Sequence, residues 1–130
     1  MDTPAPLTLL SILIPARNEE EGIESTIEAL CAALDEAAVG YEIVVVDDGS
    51  TDGTPDRLRR LKERYDRLRV VRNDGPNGFG LAIQVGLDAF SGDAAVIYMA
   101  DASDSPSDVV AYWRVLNEGV DCVFGSRFMK

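Results

Sequence analysis

The chain has 130 residues, of which 46% are hydrophobic, and its formal net charge is −11 with no histidine. This length suffices for one hydrophobic core and is too short for two domains of ordinary size, so we expect residues 1–6 to form a leader and residues 7–130 a single domain. The excess of carboxylates opposes binding to nucleic acid, because proteins gain most of that affinity from Lys and Arg contacts to phosphates.

No stretch of the sequence has the composition of a targeting or membrane segment. Residues 1–6 lack the basic start of a signal peptide, and no apolar run approaches the ~20 residues needed to span a bilayer. Cys31 and Cys122 lie in apolar stretches rather than at a paired spacing, which favours buried thiols. We therefore expect a cytoplasmic protein, with any contact to the cytoplasmic face of a membrane made by segments absent from this chain.

The first predicted elements are a strand and a helix. Residues 7–14 form an apolar strand, which Pro15 ends. Asn18 and Glu21 have the spacing of a capping box at the start of a helix. The helix that follows carries apolar residues at helical spacing, namely Ile23, Ile27, Leu30 and Leu34.

The second predicted strand, residues 41–46, contains the run Ile-Val-Val-Val and leads directly into Asp47 and Asp48. A run this apolar is typical of a central strand with both faces covered, which places its acidic end where open α/β sheets bind ligands. Thr54-Pro55 then opens a second helix, with Pro at its first position. That helix presents Leu58, Leu61 and Tyr65 on one face.

The second half of the chain repeats the alternation of strand and helix. Residues 68–71, 94–99 and 120–124 are predicted strands. One helix is predicted over residues 79–90, and a fourth helix begins after a capping segment at 105–108. The residues expected to face inward are Ile83, Leu87 and Phe90 in the former helix, and Val109, Trp113 and Leu116 in the latter.

Strict alternation with short connections predicts an α/β fold with a mainly parallel, doubly wound, Rossmann-like sheet, strand order 3-2-1-4 and helices on both faces. In such sheets, ligands bind at the carboxyl ends of the strands. Polar residues follow the first, second and fourth predicted strands, in residues 15–19, 47–50 and 101–104. We expect these segments to converge on one pocket.

Four motifs resemble the nucleotide-binding half of the family 2 glycosyltransferases, which are inverting enzymes with a GT-A fold. Residues 11–20 are similar to the opening strand and Pro-x-x-Asn-Glu turn of the branch that contains the dolichol-phosphate mannosyltransferases and polyprenyl-phosphate glycosyltransferases. Residues 45–54 match its Asp-Asp-Gly-Ser signature, residues 78–82 resemble its glycine-rich helix start, and residues 121–128 resemble its strand ending in Gly-Ser-Arg. The resemblance covers almost the whole chain.

This resemblance implies transfer of a sugar, with inversion, from a UDP- or GDP-linked nucleotide sugar to an acceptor such as a polyprenyl phosphate. An ionised phosphate acceptor would need no general base, since the second pKa of a phosphate monoester is about 6. In the family, the acceptor half and its base lie beyond the point that corresponds to residue 130. We therefore assign no catalytic residue and expect a truncated donor-binding domain that transfers little alone.

The residues expected to bind the nucleotide lie in or beside the matched motifs: Pro15, Ala16, Arg17, Glu19, Asp47, Asp48, Gly80 and Asp101. Asp47 can accept a hydrogen bond from a ring N–H of uracil or guanine, with Pro15 and Arg17 flanking the base. For Asp48, a base or ribose contact and a local bond that holds the turn both stay open. For Glu19, the alternatives are ribose binding and stabilisation of the helix start.

Gly80 and one further residue, Arg127, would contact phosphate. Gly80 would let a phosphate approach the start of the third helix, although a glycine there also suits close helix packing. Arg127, just beyond the last predicted strand, would contact a phosphate of the donor or of the acceptor. An exposed arginine without such a role is the alternative.

The segment after the fourth strand departs from the family pattern. Relatives commonly carry Asp-x-Asp there, whereas alignment on Pro106 places Ala100 and Ala102 at the two aspartate positions. Asp101 and Asp104 are the carboxylates that could still hold Mg²⁺ or Mn²⁺ together with a diphosphate. A cation is needed because the acidic chain would otherwise repel a phosphorylated ligand. The alternative is that Asp104 caps the following helix and Asp101 stands alone.

Other classes of protein share this architecture. A phosphoacceptor receiver domain requires an acid pair after the first strand and a phosphorylatable Asp after the third, where this chain has Pro15 and Arg72-Asn73. A nucleotidyltransferase requires a Gly-rich basic loop after the first strand, which the sequence lacks. A non-catalytic nucleotide-binding or assembly module stays open because the Asp-x-Asp pattern is altered, and exposed sheet edges would favour a homodimer.

Overall fold

One mixed sheet organises the computed structural model of the chain, which describes residues 8–100, 105–117 and 128–129. Its strands are β1 (Leu10–Ala16), β2 (Tyr41–Asp47), β3 (Leu68–Arg72), β4 (Ala94–Ile97) and β5 (Phe128–Met129). The helices are α1 (Ile23–Glu36), α2 (Thr54–Arg64), α3 (Phe79–Ala89) and α4 (Pro106–Asn117). The sheet order is β3-β2-β1-β4-β5, with β1 to β4 parallel and β5 antiparallel to β4.

The predicted α/β fold and strand order 3-2-1-4 are confirmed. The prediction that Pro15 ends the first strand is wrong, because β1 continues through Pro15 to Ala16. Beyond Leu13 the strand pairs with β2 but no longer with β4, and a strand can contain proline where one side is unpaired. Strand β4 ends at Ile97, two residues before its predicted end. The strand predicted over residues 120–124 lies outside the described residues, and the described β5 comes later in the chain. Its antiparallel pairing with β4 makes the sheet mixed on this side, which is common in doubly wound folds.

Helices cover both faces of the sheet, as predicted. Successive side chains of a central strand point to opposite faces, so each central strand contributes to two apolar clusters. Ile12 and Ile43 belong to the larger apolar cluster, which contains residues of α1, α2 and α4. Leu13 and Val44 belong to a second cluster, against which Leu87 of α3 packs. The continuous apolar run of β2 therefore reflects burial on two sides.

Helix α1 buries the predicted face, which consists of Ile23, Ile27, Leu30 and Leu34. The predicted capping box is wrong. The helix begins at Ile23 after an N-cap at Gly22 that makes no side-chain capping bond. Asn18 has a left-handed backbone with φ of 55°, and its side chain bonds to the loop after β2 instead. Helix α2 begins at Thr54 with Pro55 in its first turn and buries Leu58 and Leu61, as predicted.

Helix α3 packs on the sheet through small residues as well as through Leu87 and Phe90, two of the three large residues that were predicted to face inward. Ala82 and Gly86 are its buried positions, whereas Ile83, Leu87 and Phe90 are half-buried. A methyl group at Gly86 would lie 3.4 Å from side-chain carbons of Leu13 and Val46, so the glycine allows the helix to approach the sheet closely.

The structure also bears on the predictions about the cysteines and about membrane segments. Cys31 of α1 is buried, as predicted, and burial raises the pKa of its thiol. Cys122 lies outside the described residues. Within the described ranges, no helix combines the length and the apolar character needed to cross a membrane.

Candidate functional site

The carboxyl ends of β1 and β2 lie side by side at one edge of the sheet. Ala16 pairs with Asp47 in the parallel register, and the backbone N–H of Asp48 donates to Ala16 O at 2.8 Å. Ala16, Asp47 and Asp48 are all buried. Pro15 is half-buried and Arg17 is exposed. The structure thus places these predicted nucleotide-binding residues next to one another, with the arginine reaching solvent.

Asp47 ends β2 and binds the turn that follows it. Its Oδ1 accepts a hydrogen bond from the backbone N–H of Ser50 at 3.0 Å, and no other group among the described residues donates to this carboxylate. The turn contains Gly49 with φ of 78°, a conformation that residues with a Cβ adopt at a cost. A carboxylate can accept several hydrogen bonds, so Asp47 keeps acceptor capacity for a ligand.

Reciprocal hydrogen bonds join the loop after β1 to the loop after β2. The backbone N–H of Asn18 donates to Ser50 Oγ at 3.0 Å, and the Asn18 side-chain oxygen accepts from the backbone N–H of Thr51 at 2.8 Å. The left-handed backbone of Asn18 is a conformation that Asn tolerates better than most residues. This exchange fixes the position of Arg17 relative to Asp47.

A second set of bonds also involves these two loops. Glu19 N–H donates to Thr54 Oγ1 at 2.8 Å, and Gly53 N–H donates to Glu20 Oε2 at 3.0 Å. Asp52 Oδ1 accepts from the backbone N–H and the hydroxyl of Thr54, at 2.9 Å and 2.6 Å. Desolvation raises the pKa of the Asp52 carboxyl, but the hydrogen bonds to it outweigh this effect and hold the pKa below its usual value. Asp52 is therefore a turn residue.

Acidic residues from these two loops line an open depression of about 230 Å³, namely Glu19, Glu20, Glu21 and Asp52 together with Asn18. Asp47 is not part of its wall. Negative side chains on this surface would repel a diphosphate, so a phosphorylated ligand here needs a cation.

Asp48 points to a different loop, the connection between β3 and α3. Its Oδ1 accepts from the side-chain amide of Asn73 at 2.8 Å, and its Oδ2 accepts from the backbone N–H of Gly78 at 2.9 Å. Of the two roles left open for Asp48, the structure shows a structural bond, which reaches this neighbouring loop rather than its own turn. Gly80 follows in the exposed first turn of α3, and a methyl group there would meet no atom within 4 Å.

The end of β4 reaches the same edge of the sheet. Thr26 of α1 donates its hydroxyl to Ala100 O at 3.0 Å, which ties the chain beyond β4 to the first turns of α1. The predicted metal and phosphate residues Asp101, Asp104 and Arg127 lie outside the described residues. Within the described part of the chain, no group of three or more His, Cys, Asp or Glu side chains could hold a metal ion.

Sequence reasoning missed Asn73, which is a buried side chain at the edge of the site. The signal was present: a polar residue directly after β3, at the edge of the sheet where the other site residues were expected, followed by Gly75-Pro76. A turn residue such as Asn is common in loops, so its partner Asp48 becomes apparent only once the strands are aligned.

Comparison with known proteins gives the family. Glycosyl transferase family 2 matches residues 11–130. The chain is 33% identical over 121 residues to a dolichol-phosphate mannosyltransferase of Pyrococcus furiosus, with 93% of this chain and 34% of that protein covered. It is 32% identical over 122 residues to an undecaprenyl-phosphate 4-deoxy-4-formamido-L-arabinose transferase of Serratia proteamaculans, with 91% of this chain and 36% of that protein covered. The chain thus spans about a third of the length of these curated relatives.

Solved structures agree with this assignment. A mannosyltransferase from Pyrobaculum calidifontis in complex with GDP-Man and Mn²⁺ superposes with a TM-score of 0.70 at 26% identity, covering 93% of this chain and 36% of that one. Glucosyl-3-phosphoglycerate synthase from Mycobacterium tuberculosis in complex with Mn²⁺, UDP-glucose and phosphoglyceric acid superposes with a TM-score of 0.69 at 31% identity. The match covers 86% of this chain and 40% of that one. The family match and these likenesses lead to one conclusion, that the chain belongs to glycosyl transferase family 2.

Proposed function

We propose that this chain is the donor-binding part of a metal-dependent inverting glycosyltransferase and that it binds a nucleotide-diphosphate sugar. The observation that carries the proposal is the buried Asp47 carboxylate at the carboxyl end of β2, beside Ala16, in a chain that belongs to family 2. Ligands of open α/β sheets bind at this edge.

The proposed contacts to the nucleoside start from Asp47. Its carboxylate accepts a hydrogen bond from a ring N–H of uracil or guanine, while Pro15 and Arg17 flank the base. Glu19, in the loop after β1, is proposed to contact the ribose. Asp48, the next residue, holds the loop between β3 and α3 through the bonds described above.

The diphosphate and its cation are proposed to lie toward β4 and α3. Gly80 leaves the first turn of α3 open to a phosphate, and Arg127 is the proposed phosphate-binding arginine. Asp101 and Asp104 would hold Mg²⁺ or Mn²⁺, whose preferred ligands are carboxylate and phosphate oxygens. The cation would take up negative charge on the departing nucleoside diphosphate. Support comes from relatives that were crystallised with Mn²⁺.

The proposed acceptor is a polyprenyl phosphate. Two relatives are named for transfer involving dolichol phosphate and undecaprenyl phosphate. A phosphate oxygen is already anionic near neutral pH, because the second pKa of a phosphate monoester is about 6, so the acceptor needs no general base from this chain.

The proposed homodimer would use a sheet edge. Strand β3 is the outer strand on one side of the described sheet. Arg69 and Arg72 lie on this strand, and Arg69 forms a salt bridge with Glu42. Charged residues on an edge strand oppose pairing of that edge with another chain. A dimer would therefore be weak at β3, and sedimentation velocity over a range of protein concentrations would measure it.

Isothermal titration calorimetry with UDP, GDP, UDP-glucose and GDP-mannose, each with and without Mn²⁺, tests the donor site. Asp47→Asn keeps the bond to Ser50 and removes the carboxylate, so we expect a loss of affinity of about tenfold, equivalent to ~1.4 kcal/mol, with or without Mn²⁺. Asp56→Asn makes the same change on the exposed surface of α2 and is the control.

Two outcomes separate the candidate functions. Asp101→Ala is expected to weaken binding only when Mn²⁺ is present, because it removes a proposed metal ligand. Mn²⁺-independent binding that Asp101→Ala leaves unchanged would instead favour the non-catalytic nucleotide-binding or assembly module. No binding of any of the four compounds would remove the donor-site proposal.

A further inference from the structure

Asn73 is a buried polar residue that ties the connection between β3 and α3 to the end of β2. Its side-chain amide donates to Asp48 Oδ1 at 2.8 Å and to Pro76 O at 3.0 Å, and its side-chain oxygen accepts from Gly75 N–H at 3.1 Å. Its backbone N–H donates to Asp47 O at 2.9 Å. The residue is 7% exposed. A buried amide that makes this many bonds holds its loop in one arrangement, because each lost bond would leave a buried polar group unpaired.

The Asp48 carboxylate closes this loop by binding both of its ends. Asn73, at the start of the loop, donates to one oxygen, and Gly78, at its end, donates to the other. Gly78 is the N-cap of α3. Phe79 and Leu81 come next, and they are the large apolar side chains with high exposure in the described part of the chain, at 52% and 48%. The position of this first turn of α3 beside Asp48 thus depends on the Asn73 to Asp48 bond.

We propose that Asn73 is a positioning residue of the nucleotide site. By bonding Asp48, it fixes the start of α3 against the end of β2 and keeps the residues around Asp47 in the arrangement that binds the nucleotide. This inference rests on the proposed function, since it is donor-nucleotide binding that the arrangement serves. If loss of the bond leaves only about one-tenth of the molecules in that arrangement, the apparent dissociation constant rises about tenfold.

An exchange of the two side chains tests the proposal. Asn73→Asp sets two carboxylates against each other, and Asp48→Asn sets two amide groups against each other. The double variant restores an amide-to-carboxylate bond between the two positions, with donor and acceptor exchanged, but not the bond from position 73 to Pro76 O. Asp74→Asn repeats the Asp-to-Asn change at the adjacent, exposed loop position and serves as the control. Calorimetry with UDP and GDP in Mn²⁺ gives the dissociation constants, and hydrogen exchange of the ligand-free protein gives the protection of the Gly78 N–H.

We expect each single variant to raise the dissociation constant about tenfold and to speed exchange at Gly78, and the double variant to recover part of both, since the bond to Pro76 O stays lost. Asp74→Asn should match the wild type. If Asn73→Asp does not fold, the comparison of Asp48→Asn with the double variant carries the test.

The failures are distinguishable. Nucleotide binding that survives unchanged in the single variants, or unchanged Gly78 protection, would overturn the positioning role and leave the proposed function standing. A double variant that recovers the protection of Gly78 but not the affinity would also overturn it and would assign Asp48 to direct nucleotide contact. If the wild type binds neither nucleotide, the proposed function fails and the positioning role falls with it.

Discussion

Glu42→Gln is the substitution for which the structure gives the clearest stability prediction. Glu42 lies near the start of β2, at the opposite end from Asp47. Its Oε2 accepts from Ser11 Oγ at 2.5 Å and from the backbone N–H of Ser91 at 2.6 Å, and its Oε1 accepts from Arg69 Nη1 at 2.9 Å. One carboxylate therefore joins β1, β2 and β3 to the connection that precedes β4.

The expected cost follows from these bonds. Glutamine has the same size but one acceptor oxygen, so in either orientation its amide group faces a donor. The Glu42 side chain is only 10% exposed, so water does not replace the lost bonds. Bonds to charged groups contribute roughly 1.5–3 kcal/mol each. The bond from Arg69 contributes less than this, because the Arg69 side chain is 43% exposed and solvent screens its charge. We expect a loss of about 2–3 kcal/mol, or roughly 10 °C in Tm.

The pH dependence has a definite sign. Desolvation of Glu42 raises its pKa, but the bonds from Ser11, Ser91 and Arg69 outweigh it and leave the pKa below its usual value. A pKa that is lower in the folded chain than in the unfolded chain gives stability that is fully present above about pH 4.3 and is lost as the pH falls further. The difference between wild type and Glu42→Gln should therefore be constant near neutral pH and should narrow in acid.

Urea unfolding at neutral pH and at about pH 3, followed by circular dichroism, measures both effects. Glu63→Gln makes the same change on the exposed face of α2, and we expect it to shift stability by no more than about 0.5 kcal/mol. If Glu42→Gln proves as stable as Glu63→Gln, or if the difference grows in acid, the assignment of Glu42 as the centre of a stabilising cluster is wrong.

The remaining predictions concern unfolding free energies measured in the same way. Gly49→Ala should destabilise the protein by about 1–2 kcal/mol because Gly49 has φ of 78°. A methyl group at Gly80 has open space, so Gly80→Ala should be neutral or stabilising. Equal losses of stability in the two variants would contradict the strain argument. Ile27→Ala should cost roughly 2–5 kcal/mol because Ile27 is fully buried, and a loss below ~1 kcal/mol would show that the site collapses around the cavity. Arg57→Ala breaks a half-exposed ion pair with Glu24 at 3.3 Å, so it should cost less than ~1 kcal/mol, and a large effect that persists in concentrated salt would contradict this.

The elements that were predictable from sequence are those whose signals are local. Apolar runs such as residues 43–46 mark central strands because burial on both faces leaves no polar positions, and parallel pairing then brings their ends together. Ile23, Ile27, Leu30 and Leu34 mark the buried face of α1 for the same reason. These signals were enough to bring Ala16, Asp47 and Asp48 to one edge of the sheet.

The signals that failed depend on partners distant in sequence. Asn18 and Glu21 have capping-box spacing, but Asn18 bonds to Ser50 and Thr51 across the sheet edge, and this requires a left-handed backbone that ends any helical geometry there. Local spacing could not reveal a competing partner some thirty residues away. Ile83 was predicted to face inward, but the close approach of α3 to the sheet favours Ala82 and Gly86 at the contact.

The two aspartates at the end of β2 bond to different loops, because successive residues of an extended chain point in opposite directions. Asp47 bonds to Ser50 in the loop after β2, which the Asn18 exchange joins to the loop after β1. Asp48 bonds instead to Asn73 in the loop after β3. Adjacent carboxylates thus order the loops on both sides of the same strand end. The nucleotide affinity of Asp48 variants should accordingly change with the mobility of the β3–α3 loop, whereas Asp47 variants should lose affinity while that loop keeps its order.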